Sequence, residues 1–339
     1  MQWQVVADAL KYGVFYALAK ATIESPEPID GPATWQFWTK DRNKLVTYLA
    51  EHYPPQFLIK RFIDRISDDR NIADIIRHYE VPAEFFMLFL DENYHFYSCA
   101  DFHSPDDSLE QAQINKAEAF LSLIAPRPGD CLLELGCGWG GMMKFLHERL
   151  GDSVTVKGIT ISQTQADFIK KSYGFDDVVV ESFVSREYPA NQYDCIYSID
   201  AWDHVRPKDT ASLVKKLYTA LKPGGRLIQQ FGVGTRTQSP ATFLLGNLFF
   251  AGIVPKTLAT ELAVAEIAGF RLLHDTTVDY SQTTKAWYDR FCAHRDEAIR
   301  LVGVREFNRQ MLLHVLYWKM DHEQYGIMHR LAFEKPASA

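Results

Sequence analysis

One short segment constrains the fold more than any other: Leu132-Leu133-Glu134-Leu135-Gly136-Cys137-Gly138-Trp139-Gly140-Gly141. An apolar run of strand length leads into four glycines, and the residues from Trp139 to Leu150 then carry helical spacing. Glycine permits a tight turn and lets the backbone approach a ligand closely. A helix that starts there offers free N–H groups and the positive end of its dipole. Strand, glycine turn and helix in that order place a ligand site at the carboxyl edge of an α/β sheet. The chain after Pro126 keeps the same rhythm. Cys131–Leu135, Val154–Ile161, Val178–Val180, Asp194–Ser198 and Arg226–Phe231 read as strands. Gln163–Lys171 and Thr210–Leu221 read as helices, the second stopped by Lys222-Pro223-Gly224-Gly225. This alternation predicts a mostly parallel, Rossmann-like α/β sheet with helices on both faces. A late helix over Thr284–Val302 and an extended segment over Gly326–Phe333 follow.

Upstream of the sheet the pattern differs. Apolar residues recur at helical spacing in Trp3-Val6-Leu10-Val14-Leu18, and again in Leu45-Leu49, Phe57-Phe62 and Ile72-Ile76. Proline-rich breaks separate them. The expectation is a helical subdomain over residues 1–95 and a sheet domain over 96–335. The chain carries a net charge of −7, which argues against a nucleic-acid-binding surface. Five scattered cysteines show no zinc spacing and no disulfide framework, so no metal and a reducing, cytoplasmic setting are expected. The N-terminus lacks the pattern of a signal peptide. The most apolar window, Ala241–Val254, falls short of the ~20 residues a membrane span needs, so stable membrane insertion is not expected.

Two ligand readings of the glycine turn compete. Gly136, Gly138 and Gly141 fit GxGxxG, the dinucleotide pattern, which wants an acidic residue ~20 positions on, at the next strand end. Here that strand runs into Gly158-Ile159-Thr160-Ile161-Ser162-Gln163-Thr164-Gln165, with no acid. With Glu134 ahead of the first glycine, the segment instead resembles motif I of the class I S-adenosylmethionine-dependent methyltransferases. A glycine-rich loop without a ligand is the plain alternative. Further segments narrow the resemblance: Tyr97-Ser98-Cys99-Ala100, Leu109-Glu110-Gln111-Ala112-Gln113, the GCGWGG turn, Thr160 to Gln165, Ser198-Ile199-Asp200-Ala201-Trp202-Asp203-His204, and Asp279-Tyr280 through Trp287. In order and spacing they resemble the cyclopropane fatty acid synthase family over roughly residues 75–335, with plant alkaloid N-methyltransferases as more distant relatives.

The resemblance implies S-adenosylmethionine as cofactor. Tyr97 and Ser98 would close over its methionine end. Gly136 and Gly138 would form its floor, and Glu134, Trp139 and Gly140 would also bind it. Thr160 and Gln165, with Ser162 between them, would meet the ribose, and Phe183 takes an adenine-facing position or is an ordinary core residue. Family members that methylate an alkene hold a bicarbonate-like anion near the sulfonium, in a cluster of Cys, Glu, His and Tyr. Cys99 and Tyr280 match that cluster. Asp203 stands for the Glu, with His204 beside it, and Gln230 stands for the His. Gln cannot titrate, so a bicarbonate ion and the family's usual ring closure are in doubt, whereas plain methyl transfer is not. His204 would serve as general base, with Asp203 orienting it or binding an amine cation.

The resemblance also places Phe243–Val254 at the acceptor. Its Phe and Leu content suits an apolar acyl or isoprenoid chain, or else simple packing between domains. The N-terminal helices would lid that pocket or support a homodimer. Three functions stay open: methylation at a double-bond carbon of a lipid-like acceptor, methylation of a small amine, and a nucleotide-binding protein of another kind.

Overall fold

The computed structural model describes residues 2–38, 44–51, 68–234, 243–250, 256–322 and 326–337. They divide into two compact units. The helical unit is drawn from within Met1–Phe89, Thr235–Val254 and Thr284–Gly326, and the sheet unit from Leu90–Gly234, Pro255–Thr283 and Ile327–Ala339. No helix among the described residues is long and apolar enough to cross a membrane.

The helical unit contains α1 (Gln2–Ile23), α2 (Gly31–Trp38), α3 (Lys44–Glu51), α4 (Asp68–Tyr79) and α5 (Ala83–Met87). Chain from the C-terminal half completes it, which the early helical pattern alone did not suggest. Phe85 and Phe89 meet Phe291 edge to face, and the His314 ring stacks on Phe291 at 4.8 Å. Aromatic pairs of this kind add to the area they bury. Of the apolar window expected at the acceptor, Leu244, Leu245, Phe249 and Phe250 are buried in this unit. Phe243 packs on Tyr12 and Phe250 on His78. Residues 39–43, 52–67 and 251–255, which include the Phe57-Phe62 pair and the end of that window, lie outside the described residues.

The sheet unit opens with α6 (Leu109–Ile124) and continues β1 (Cys131–Leu135), α7 (Gly141–Leu150), β2 (Thr155–Thr160), α8 (Gln163–Tyr173), β3 (Val178–Val180), β4 (Tyr193–Ile199), α9 (Pro207–Ala220) and β5 (Leu221–Gly234). Then come α10 (Leu258–Ala268) and β6 (Arg271–Val278). Two helices follow, α11 (Ser281–Ala293) and α12 (Arg295–His322), and β7 (Gly326–Glu334) ends the order. The strands form one seven-stranded sheet in the order β3-β2-β1-β4-β5-β7-β6. The pairs from β3 to β5 are parallel, and β6 with β7 is antiparallel. β1 and β4 are buried almost throughout, as strands covered on both faces must be.

Local chemistry sets the helix ends. Ser108 caps α6, Ser162 caps α8 and Thr257 caps α10, each side chain accepting a backbone N–H from three residues on. The single late helix expected over Thr284–Val302 is instead broken at His294 between α11 and α12; the backbone leaves the helical region again at Gly303 (φ 75°), and a further stretch runs on to His322. Strand β6 carried no sequence expectation. It lies at the sheet edge, and its side chains are mostly exposed, so its pattern is weak.

Candidate active site

The glycine turn joins β1 to α7 and sits at the carboxyl edge of the sheet, as its sequence requires. The N–H groups of Gly136 and Cys137 both donate to the carbonyl of Ile159, which ties the turn to β2. Gly136 has φ 74°, and a Cβ there would collide with Ala201. Gly138 has φ 53°, yet a Cβ there would meet nothing within 4 Å. The first glycine is therefore a packing necessity. The second borders open space, at the start of a helix whose N–H groups are unpaired within the helix. Phe183 is half-buried and lies against the same turn, its ring 3.9 Å from the Cβ position of Gly136. Trp139 is buried with its ring edge-on to Phe168, and Gly140 caps α7.

Glu134 is buried beside the turn. Tyr197 donates its hydroxyl to Oε2 at 3.2 Å, but burial outweighs that bond and pushes the carboxyl up to about 8. At the end of β2, Thr160 donates to Gln165 Oε1 at 2.6 Å, and the Ser162 hydroxyl accepts the Gln165 N–H at 3.2 Å. A neutral network thus occupies the place where a dinucleotide site would carry an acid.

The Tyr97-Ser98-Cys99 segment is held from both sides. Asp91 gathers the N–H groups of Tyr94, His95 and Phe96 just before it. Behind it, Lys116 on α6 donates to Ser98 Oγ at 2.6 Å and lies over the Phe96 ring at 3.6 Å. Lys116 is fully buried, and burial lowers its ammonium to about 8 despite the carboxylates of Asp200, Asp91 and Asp101. Gln113, from the Leu109–Gln113 motif, donates to the Ser98 carbonyl at 3.0 Å.

Cys99, Gln230 and Tyr280 come together, and the group that joins them is Asp200, which sequence reasoning passed over. Asp200 follows β4, and its backbone N–H donates to the Gln230 carbonyl on the adjacent β5. Its carboxylate accepts the Cys99 N–H on Oδ2 at 2.7 Å and the Gln230 side-chain amide on Oδ1 at 2.9 Å. The Tyr280 hydroxyl also donates to it. The Cys99 thiol faces the carbonyls of Ala100 and Asp279 at 3.7 Å.

The amide of Gln230 is oriented by its other neighbour. Arg330 on β7 donates from Nε and Nη2 to Gln230 Oε1, at 2.9 and 2.6 Å. Guanidinium has only donors, so the amide oxygen must face it and the NH2 must face Asp200. Arg330 in turn forms a two-pronged pair with Asp101 at 2.8 and 2.7 Å. All three side chains are buried. A glutamine at 230 therefore has a clear use: it accepts from one neighbour and donates to the other.

Asp203 and His204 lie on the short 3-10 turn Ala201–His204, beyond Asp200. Asp203 Oδ1 accepts the Gly232 N–H at 3.0 Å, which ties it to β5. Burial first, and then repulsion from Asp200, raises its carboxyl to about 8. Burial and the nearby Lys256 lower His204 to about 4, so its imidazole is neutral at pH 7. Lys256 donates to the Val205 carbonyl at 2.7 Å, and Glu261 accepts the Trp202 indole N–H at 2.9 Å. These bonds lock the backbone that carries the pair.

Comparison with known proteins fits this geometry. The profile of the mycolic acid cyclopropane synthetase family matches residues 66–319. Cyclopropane mycolic acid synthase MmaA2 of Mycobacterium tuberculosis is 30% identical over 259 residues, covering 71% of this chain and 89% of that one. The solved structure of the cyclopropane synthase MmaA2 from the same organism superimposes with a TM-score of 0.71 at 27% identity, over 78% of this chain and 98% of that one. Coclaurine N-methyltransferase, solved with N-methylheliamine and S-adenosylhomocysteine, shares the fold over 96% of this chain and 100% of its own, with a TM-score of 0.70 at 16% identity. The chain belongs to the mycolic acid cyclopropane synthetase family of S-adenosylmethionine-dependent methyltransferases.

Proposed function

We propose that the chain transfers a methyl group from S-adenosylmethionine to a double-bond carbon of an apolar, lipid-like or isoprenoid acceptor. The observation that carries this reading is the polar cluster of Cys99, Asp200, Gln230 and Tyr280, set between the Tyr97-Ser98 segment and the glycine turn. When bound, the cofactor supplies an electrophilic methyl on a sulfonium. The residues present suit it. Gly138 leaves the turn open on one side, Glu134 provides a carboxyl, and Thr160 with Gln165 provides neutral hydrogen-bonding groups for a ribose. Tyr97 and Ser98 would hold its methionine end, with Lys116 fixing the Ser98 hydroxyl. The chain's task is then to orient an alkene carbon and exclude water, since proximity alone supplies much of the rate in such transfers.

The likeness to cyclopropane mycolic acid synthases favours carbon over nitrogen as acceptor, and burial, which lowers the His204 imidazole, makes that ring a weak base toward a protonated amine. A bicarbonate ion, which the family pattern offers as base, would compete with the Asp200 carboxylate for the Cys99 N–H and the Tyr280 hydroxyl.

Methyl-labelled S-adenosylmethionine offered with vesicles of cis-monounsaturated phospholipid, a prenyl alcohol and a secondary amine tests the reading. The expected product is an acyl or prenyl chain heavier by one CH2 unit. Label found on the amine alone would overturn it.

A further inference from the structure

Methylation of an alkene carbon leaves a cation that must shed a proton, and a water-poor site needs a group to receive it. The four side chains of the polar cluster lie near that point, with Asp203 beside them. Tyr280 donates to Asp200 and so holds its proton. The Cys99 thiol is turned to two carbonyls. Gln230 does not titrate. Asp203 is drawn off to the Gly232 N–H, and burial together with Asp200 keeps it largely protonated near neutral pH. Asp200 alone has every neighbour donating to it, from the Cys99 backbone, the Gln230 amide and the Tyr280 hydroxyl.

That arrangement is one for an ionised carboxylate. A carboxylate has about four lone-pair sites, and three donors leave a fourth free. Asp200 remains half-buried rather than sealed. Its backbone is in the left-handed region at φ 58°, which most side chains avoid and Asp tolerates. Such conformations persist where the surroundings enforce them, often at functional sites. Here Ala201 against Gly136 and the backbone bond from the Asp200 N–H to the Gln230 carbonyl enforce it, while the Cys99 N–H holds the carboxylate. Lys116 and Asp203 are the charged groups that act on Asp200 from neighbouring elements. Burial raises its carboxyl, which moves it toward the range suited to a base at neutral pH.

We propose that the Asp200 carboxylate is a built-in proton acceptor for the methyl transfer, seated where an external bicarbonate ion would otherwise bind. The inference rests on the alkene-methylation reading above. In the step, the π pair of the alkene bonds to the methyl carbon, and the S–C bond breaks with its pair left on sulfur. A C–H bond of the resulting cation then breaks. Its proton passes to Asp200, and its pair closes a ring or forms a new double bond. Gln230, held by Arg330, is a positioning residue in this scheme.

Protein loaded with S-adenosylhomocysteine and titrated with 13C-bicarbonate, followed by NMR, tests the seat without any acceptor. The wild type should bind no bicarbonate. Asp200→Gly suits the positive φ and vacates the seat, so it should bind one equivalent. Asp200→Asn fills the seat and should bind none. In the vesicle assay, wild-type turnover should be unchanged in bicarbonate-free buffer. Both variants should lose roughly a hundredfold or more, and bicarbonate or formate should restore Asp200→Gly only. Bicarbonate bound to the loaded wild type, or turnover retained in Asp200→Asn, would overturn the proposal. The wild-type titration decides the matter even if a variant fails to fold. A failure to bind S-adenosylhomocysteine at all would instead sink the methyltransferase reading, so the two failures are separable.

Discussion

A glycine and a glutamate four residues apart show how differently single residues can matter at this site. Gly138 borders open space, while Glu134 is buried with one hydroxyl donor. Burial lifts the Glu134 carboxyl from 4.5 to about 8. A raised folded-state value means that the folded protein holds a proton which the unfolded chain gives up. The stability contribution is therefore complete below about pH 4.5 and is lost as pH rises toward 8. Glu134→Gln keeps the shape without that proton. Its stability relative to wild type should rise between pH 5 and pH 8, by about 1 kcal/mol or more, in urea unfolding at the two pH values. An unchanged difference would mean that Glu134 titrates normally. Residue-scale reading of the sequence singled out Cys99, Gln230, Tyr280, Asp203 and His204 because the family resemblance marks those positions. It did not reach Asp200, Asp101, Arg330 or Lys116. Asp101 and Arg330 meet across 229 positions of chain, and no local pattern carries such a pairing. Asp200 did leave a trace, as an acid directly after a buried strand at the ligand edge of the sheet.

Elements were legible where a physical rule acts locally. The glycine turn, the serine that caps α8 and the stop after α9 all follow from residues within a few positions of one another. Strand β6 and the continuation of α12 past Gly303 were not, because edge position and packing decide them. The turn itself yields a paired prediction. Ala at Gly136 would both strain the backbone and collide with Ala201, whereas Ala at Gly138 meets only the left-handed penalty of roughly 1–2 kcal/mol. Gly136→Ala should therefore lose far more stability in thermal unfolding. Gly138→Ala should stay folded, yet bind S-adenosylhomocysteine at least about tenfold more weakly, since its new methyl group would enter the open space proposed for the ligand. Undiminished affinity in Gly138→Ala would move the ligand away from the turn.

For the whole molecule, the expectation of a parallel sheet with helices on both faces and a helical part ahead of it matches the family fold. The helical unit also draws on chain from 284 to 326, although the sequence suggested a unit ending near residue 95. Helical periodicity reports that a segment is amphipathic, not which core receives it. The residues proposed above to hold the cofactor all belong to the sheet unit, from Tyr97 to Tyr280. Calorimetric titration of the purified chain with S-adenosylhomocysteine and, separately, with NAD tests that site most directly. One equivalent of S-adenosylhomocysteine should bind and NAD should not; binding of NAD with no heat from S-adenosylhomocysteine would contradict the account.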